Sequence, residues 1–105
     1  MSDDNQIEIP PSFIALFVPP GRIKPTESRA FIAVRYEFCE DLANLMTEHA
    51  RTMLFSLGVD ESDVLDRCHR GLLDAASGVS PPEAGWVVQR LAELLEWRFE
   101  GLAGA

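Results

Sequence analysis

The longest stretch of this chain without proline or glycine runs from Thr26 to Leu57, and it constrains the fold more than any other sequence feature. Thr26 stands where a helix N-cap is expected, and Gly58 supplies the left-handed residue with which helices commonly end. The stretch therefore predicts one helix over residues 27–57, about 45 Å long at roughly 1.5 Å per residue. A helix of this length requires other elements to pack against it.

Apolar side chains recur in this stretch at intervals close to three and four residues, a spacing typical of a helix with one buried face. The members of this predicted buried face are Phe31, Val34, Phe38, Leu42, Leu45 or Met46, Met53 and Leu57. Tyr36 and Phe55 lie off that face. We therefore expect the large apolar side chains of the face to be buried inside the protein.

Two shorter helices are predicted after Gly58. The acidic segment at residues 60–63 suits a helix N-terminus, whose dipole favours negative charge. The apolar pattern that follows predicts a helix over residues 61–76, closed by Gly78. Ser80 and Glu83 form a capping-box pattern around two prolines, which predicts a helix over residues 81–100.

Proline pairs enclose a short apolar segment near the N-terminus. This segment, about residues 11–18, lies between the Pro-Pro pairs at 10–11 and 19–20. A continuous apolar run suits a short helix and a buried strand equally. We favour the helix, since a proline pair suits a helix start and the sequence offers no second strand to pair with.

The predicted fold is all-α. A length of 105 residues suits one domain. Short connections between the three main helices favour an up-and-down bundle, to which the N-terminal helix or strand is added. Residues 1–8 are polar and acidic without an apolar pattern, which predicts a flexible tail, and residues 9–105 are predicted to form a single helical domain.

The chain is acidic, with 17 Asp and Glu residues against nine Lys and Arg residues and a formal net charge of −8. That charge repels nucleic-acid phosphates and anionic membranes, and no run approaches the roughly 20 apolar residues of a membrane-spanning helix. The N-terminus lacks the basic and apolar regions of a secretory signal, so we expect a cytoplasmic protein without nucleic-acid or membrane partners. Arginine outnumbers lysine by eight to one, a composition that suits a bacterial protein.

Motifs of catalysis and cofactor binding are missing from the sequence. It contains no Walker loop, no dinucleotide-binding glycine motif, no Cys-x-x-Cys and no His-Glu-x-x-His. Cys39 and Cys68 fall at apolar positions of predicted helices, where a thiol behaves as a small buried hydrophobic group. His69 directly follows Cys68 and therefore diverges from it on a helix, so it cannot activate that thiol. We predict no cofactor and favour a non-enzymatic protein.

The alternative is a metal-binding helical-bundle enzyme or carrier that uses carboxylate and imidazole ligands. The candidate metal ligands are Glu40, Glu48, His49, Asp66 and His69. Asp66 and His69 are three residues apart and share a helix face, whereas Glu48 and His49 are adjacent and diverge. Bundles with two metal ions use two such pairs, and this sequence offers one imperfect pair.

The three main helices carry apolar residues outside their predicted buried faces as well as within them. Trp86 and Trp97 lie at a different angle from the main apolar stripe of the last helix. Large aromatic side chains on a second face are typical of subunit interfaces, so we predict a homodimer that pairs the long or the C-terminal helices. The predicted partner or dimer contacts are Phe13, Phe17, Tyr36, Phe55, Trp86 and Trp97.

These observations favour a helical protein–protein interaction module, a small adaptor or regulator of another protein. A bundle that binds an apolar ligand in a cavity between its helices is a third alternative. The identity of the protein partner is not encoded in any motif of the sequence.

Two segments resemble a known group of proteins. Residues 9–17 (Ile-Pro-Pro-Ser-Phe-Ile-Ala-Leu-Phe) and 35–42 (Arg-Tyr-Glu-Phe-Cys-Glu-Asp-Leu) resemble the opening half of a group of short uncharacterised bacterial proteins. Some members of that group carry the label of a chaperone-type ATPase subunit. This chain has no ATPase motif, because Lys24 lies in a Gly-Arg-Ile-Lys-Pro segment that lacks the glycines of a phosphate-binding loop.

Overall fold

The computed structural model describes residues 8–98, which contain four α-helices. These helices are α1 (Pro11–Ile14), α2 (Arg29–Leu57), α3 (Glu61–Leu72) and α4 (Pro81–Leu95). Short 3₁₀ turns follow α1 and α3. No strand occurs between residues 8 and 98, and the predicted all-α fold is confirmed.

The packing divides the chain into two compact units, Met1–Phe38 and Cys39–Ala105, with the boundary inside α2. The first unit contains α1 and the start of α2, and its buried apolar residues are Ile9, Phe13 and Ile32. The second unit contains the rest of α2 together with α3 and α4. The predicted flexible tail falls almost entirely outside the described residues, as does the end of the predicted domain beyond residue 98.

Helix α1 begins at the first proline pair. Pro11 is its first residue, where the missing N–H of proline costs no hydrogen bond. The backbone amides of Phe13 and Ile14 donate to the Pro10 carbonyl at 2.9 and 3.2 Å. The 3₁₀ turn Ala15–Phe17 continues this segment, so the helical alternative is correct for residues 11–17, and Val18 is extended.

Helix α2 begins two residues later than predicted. The Ser28 hydroxyl accepts the backbone N–H of Phe31 at 3.1 Å, as an N-cap does. Thr26, the predicted N-cap, instead donates its backbone N–H and its hydroxyl to the Phe17 carbonyl, at 2.8 and 3.3 Å. These bonds hold Thr26 in the loop, so the helix starts at Arg29.

Helices α3 and α4 pack against each other in the second unit. The buried residues of α3 are Val64, Leu65, Cys68 and Leu72, and the buried apolar residues of α4 are Ala84, Val87, Val88, Leu91, Ala92 and Leu95. In this unit α2 buries Cys39, Ala43 and Ala50. Together these side chains form the core of a helical bundle.

Helix α3 ends earlier than predicted. Its start agrees with the sequence, since the Asp60 side chain caps the first turn. The predicted end at residue 76 is wrong, because the Ser77 hydroxyl donates to the Leu72 carbonyl at 2.6 Å. Asp74 then caps a separate 3₁₀ turn at Ala75–Ser77, and the α-helix cannot continue through it.

The capping box of α4 is confirmed. The Ser80 hydroxyl accepts the Glu83 N–H at 3.2 Å, and the Glu83 carboxylate accepts the Ser80 N–H at 2.9 Å. This exchange satisfies two backbone donors that a helix start leaves open. It also explains how the Glu83 side chain can be buried while remaining polar.

The end of α4 differs from the predicted end at residue 100. Glu96 adopts a left-handed conformation with φ of 61°, which stops the helix at Leu95. The backbone N–H of Trp97 donates to the Ala92 carbonyl at 2.9 Å across this turn, in the pattern of a Schellman cap. Residues 99–100 of the predicted helix lie outside the described residues.

Candidate interaction surface

Four aromatic rings pack together in the first unit. The ring centroids of Phe13 and Phe17 are 5.6 Å apart, and those of Phe13 and Tyr36 are 5.7 Å apart. Phe17 also meets Phe31 edge-on, with a centroid distance of 6.2 Å. These tilted and edge-on arrangements are favourable for aromatic pairs, so the rings contribute to the packing of α1 and its following turn against the start of α2.

The first unit exposes three large apolar residues on α2, namely Phe31, Val34 and Phe38, which we call the α2 apolar face. Their exposed fractions are 46%, 63% and 42%. They are spaced by three and four residues and therefore lie on one side of the helix. The Arg35 guanidinium lies 5.0 Å from the centre of the Phe38 ring, within the range of a cation–π contact.

This exposure contradicts the predicted buried face of α2. Of its predicted members, Phe31, Val34, Phe38, Leu45 and Leu57 are exposed, and Leu42, Met46 and Met53 are half-buried. The buried residues of α2 are Ile32, Cys39, Ala43 and Ala50. Cys39 follows Phe38 by one residue, which is about 100° around the helix axis. The buried side of α2 is thus rotated away from its largest apolar side chains.

In the second unit, α2 exposes further apolar residues. Phe55 is 92% exposed and Leu45 is 76% exposed. They are ten residues apart, which places them about 80° apart around the helix axis. They therefore do not form one continuous face, and single exposed apolar residues are common on protein surfaces.

The predicted contact residues differ widely in accessibility. Phe55 is exposed, whereas Phe17, Tyr36, Trp86 and Trp97 are half-buried. Phe13 is fully buried among the aromatic rings of the first unit. In this conformation the Phe13 ring contacts Phe17 and Tyr36 and is not accessible to a partner.

The predicted metal ligands do not converge. Within residues 8–98, no group of three or more His, Cys, Asp or Glu side chains is placed to hold a metal ion. Three of the five predicted ligands are paired with arginines. Glu40 is paired with Arg90 at 2.9 Å, Asp66 with Arg70 at 3.1 Å, and Glu48 with Arg51 at 3.9 Å. The geometry therefore gives the metal-binding alternative no site among the described residues.

Glu40 and Arg90 form a polar connection between α2 and α4 in the second unit. Arg90 donates from Nε and Nη2 to the two Glu40 carboxylate oxygens at 2.9 and 3.0 Å. It also donates from Nη1 to Glu93 at 3.1 Å. The hydrogen bond from Arg90 lowers the pKa of Glu40, and its positive charge and the Asn44 amide act in the same direction. The same bonds raise the pKa of Arg90.

Both cysteines are free and buried, as their sequence positions predict. Burial raises the pKa of the Cys68 thiol, because a thiolate loses solvation in apolar surroundings. A raised pKa leaves little thiolate near neutral pH, and the thiolate is the reactive form. Burial thus disfavours the thiolate form of Cys68, whose side chain packs in the core of the second unit.

Charge is distributed unevenly between the two units. The described residues of the first unit, 8–38, contain four basic and three acidic residues, a net charge of +1. The described residues of the second unit, 39–98, contain five basic and eleven acidic residues, a net charge of −6. The α2 apolar face therefore belongs to the nearly neutral part of an acidic protein.

Sequence reasoning missed the orientation of α2, although one signal for it was present. Cys39, Ala43 and Ala50 are spaced by four and seven residues and therefore share one side of the helix. Small residues in this spacing let neighbouring helices approach closely. The larger apolar residues recur at the same helical spacing, so spacing alone does not distinguish the two sides.

Comparisons of the chain with models of known families, with curated proteins and with solved structures give no match. The resemblance of residues 9–17 and 35–42 to a group of short bacterial proteins thus stays a prediction. Between residues 8 and 98, no helix is both long and apolar enough to cross a lipid bilayer.

Proposed function

We propose that this protein is a small helical interaction module that self-associates through the α2 apolar face of its first unit. The observation that carries the proposal is the exposure of Phe31, Val34 and Phe38 on one side of α2. Exposed apolar side chains that are adjacent on a surface favour contact with another polypeptide. The occupant that we assign to this face is a second copy of the chain, in a two-fold dimer. As a dimer, the protein acts as an adaptor or regulator of another protein.

The charge distribution supports a second copy as the occupant. A two-fold contact brings identical surfaces together, so a contact between two second units would oppose two net charges of −6. A contact between two first units, whose described residues carry a net charge of +1 each, meets far less repulsion. Because this contact is mainly apolar, its strength should change little between low and physiological salt.

The size of the face indicates a weak dimer. Aromatic side chains bury about 150–250 Å² each, and the side chains of this face are already partly covered. The face thus supplies a few hundred Å² per copy, at the low end of specific interfaces. We expect a dissociation constant in the micromolar range, so that dimerisation depends on concentration.

The proposal is tested by sedimentation of the wild type and two matched variants over a wide range of concentrations. Val34→Asp places a charge in the middle of the α2 apolar face and should raise the dissociation constant at least about tenfold. Phe55→Asp makes the same change on an exposed residue of the same helix outside the face, and it should leave association unchanged. Circular dichroism establishes that each variant is folded, and Val34→Asn serves as a milder second substitution.

Two results would contradict the proposal. A wild-type chain that remains monomeric at high micromolar concentration excludes self-association as its function. A dimer that Phe55→Asp weakens as strongly as Val34→Asp does not use the α2 apolar face.

A further inference from the structure

We propose that a cleft on the first unit, separate from the α2 apolar face, binds an aliphatic side chain of an acidic peptide segment. The cleft is lined by Ile9, Ile14, Pro25, Arg29 and Ile32. Ile32 and Val34 are two residues apart and therefore lie about 160° apart around the axis of α2. The inference therefore goes beyond the proposed dimer and does not depend on it.

The cleft is large enough for a single side chain of a partner but too small for a typical organic ligand. The cleft holds about 80 Å³ and opens to solvent on one side. Sites for small organic ligands usually enclose about 300–1,000 Å³. A cavity of roughly 150 Å³ admits a benzene ring, so about half that volume suits one aliphatic side chain such as that of leucine. The lining agrees, since four of its five residues are apolar.

Positively charged residues in the loop beside the cleft favour a peptide in which acidic residues surround the aliphatic anchor side chain. Arg29 lines the cleft, and Lys24 precedes the lining residue Pro25. Arg22 and Lys24 are exposed and flank Ile23, which is 90% exposed. The loop thus presents one apolar side chain between two cations, in a chain whose overall net charge is −8. Glu27 in the same loop and Glu8 beside Ile9 offset part of this charge, so the three cations Arg22, Lys24 and Arg29 leave a net charge of +1 around the cleft. An acidic partner gains from this local excess of positive charge, whereas a basic partner does not.

The loop is also held in place by its own hydrogen bonds. The Arg22 N–H donates to the Pro19 carbonyl at 3.1 Å, and Gly21 supplies the positive φ of 78° in that turn. At the other end of the loop, Thr26 donates twice to the Phe17 carbonyl. A loop fixed at both ends loses little conformational freedom on binding, which favours recognition of a peptide.

Isoleucine methyl groups give a direct readout of the cleft. All five isoleucines of the chain precede residue 33, and three of them line the cleft. Their δ1-methyl signals are followed by NMR while the probe peptide acetyl-Glu-Asp-Leu-Asp-Glu-amide is added up to millimolar concentration. Two control peptides replace its leucine by alanine, or its acids by the corresponding amides. Leucine and valine methyls of the second unit provide an internal reference.

The proposal predicts shifts at Ile9, Ile14 and Ile32 with the leucine peptide. The alanine peptide should bind about tenfold more weakly, because it loses the apolar anchor. The amide peptide should also bind more weakly, and the variant Lys24→Glu should weaken binding of the acidic peptide about fivefold. Arg51→Glu, an equivalent change in the second unit, should have no effect. The variant Val34→Asp should bind the peptide with wild-type affinity. It therefore distinguishes a failure of the proposed dimer from a failure of the proposed peptide site.

Equal affinity for the leucine and alanine peptides would overturn the proposal, as would unchanged affinity in Lys24→Glu. An absence of shifts at millimolar peptide would do the same. If phosphatidylglycerol vesicles, added as a separate probe, shift the cleft methyls while the peptides do not, the loop recognises an anionic lipid surface and the assignment to a peptide is wrong.

Discussion

Glu40 is the residue whose charge contributes most clearly to the packing of the second unit. Its carboxylate receives two hydrogen bonds from Arg90, and both side chains are less than one-third exposed. Paired geometry of this kind is stronger than a single exposed ion pair, because both N–H groups are directed at the two carboxylate oxygens. Glu48 and Arg51 form a weaker ion pair, since their charged atoms are 3.9 Å apart and both side chains are largely exposed.

Glu40→Gln should therefore destabilise the protein by about 1–2 kcal/mol at pH 7, and Glu48→Gln should change stability by less than about 0.5 kcal/mol. The pKa of Glu40 in the folded state lies below its ordinary value of 4.5. The stabilisation is thus fully present above the unfolded pKa and is lost as the pH falls through the folded pKa. Urea unfolding at pH 7 and near pH 3 measures both effects. A Glu40→Gln deficit that stays constant down to pH 3 would contradict this account.

The thiols provide a second test at the level of single residues. Cys39 and Cys68 are buried, and burial raises the pKa of the Cys68 thiol. Both thiols should react slowly with an aromatic disulfide reagent at pH 8 in the native state, and both should react at once in denaturant. Rapid native-state reaction of either thiol would show that its surroundings open readily.

At the scale of single residues, the sequence predicted burial and helix capping but not contacts between distant residues. The buried positions of Cys39 and Cys68 follow from their apolar neighbours, and the capping box at Ser80 follows from local spacing alone. The partner of Glu40 is 50 residues away, and no local pattern connects the two. Pairing across helices depends on how the helices are rotated, which spacing within one helix does not determine.

At the scale of single elements, helix ends show how local conformation overrides apolar periodicity. The apolar pattern of α4 continues beyond Leu95, yet the helix ends there because Glu96 takes a left-handed conformation. Glutamate has a Cβ atom that makes this conformation unfavourable, whereas glycine adopts it without cost. The Schellman-type bond of Trp97 then compensates part of the strain.

Glu96→Gly should accordingly stabilise the protein by about 0.5–1 kcal/mol. Gln89→Gly, an exposed change inside the same helix, should destabilise it by about 1 kcal/mol. Thermal or urea unfolding measures both variants. If Glu96→Gly is destabilising by as much as Gln89→Gly, then Glu96 is helical in solution and α4 extends further.

For helix α2, the sequence predicted the length of the helix but not which side of it is buried. Its existence and its end at Gly58 follow from the sequence, since no proline or glycine interrupts it. Its rotation does not, because two sides of the helix carry apolar residues of different size. Apart from Ile32, the buried residues of α2 are small, and its other large apolar residues are exposed or half-buried. A hydrophobic pattern identifies an amphipathic helix but does not decide between two apolar sides.

At the scale of the whole molecule, the two units differ in charge and in the surfaces that they expose. The first unit combines the α2 apolar face, a small apolar cleft and a basic loop. The second unit contains the larger core and most of the acidic residues. Both proposed contacts thus belong to the first unit, while the bundle of the second unit supplies core packing and negative charge. We expect the negative charge to keep the dimer from associating further.

The central claim is that two copies meet through the α2 apolar face, and an isotope-filtered NOE experiment tests it most directly. A sample that mixes labelled and unlabelled chains at high concentration reports only contacts between different copies. The account predicts intermolecular NOEs from the side chains of Phe31, Val34 and Phe38, and none from Phe55. Intermolecular NOEs confined to the second unit, or their complete absence in a sample that sediments as a dimer, would contradict it.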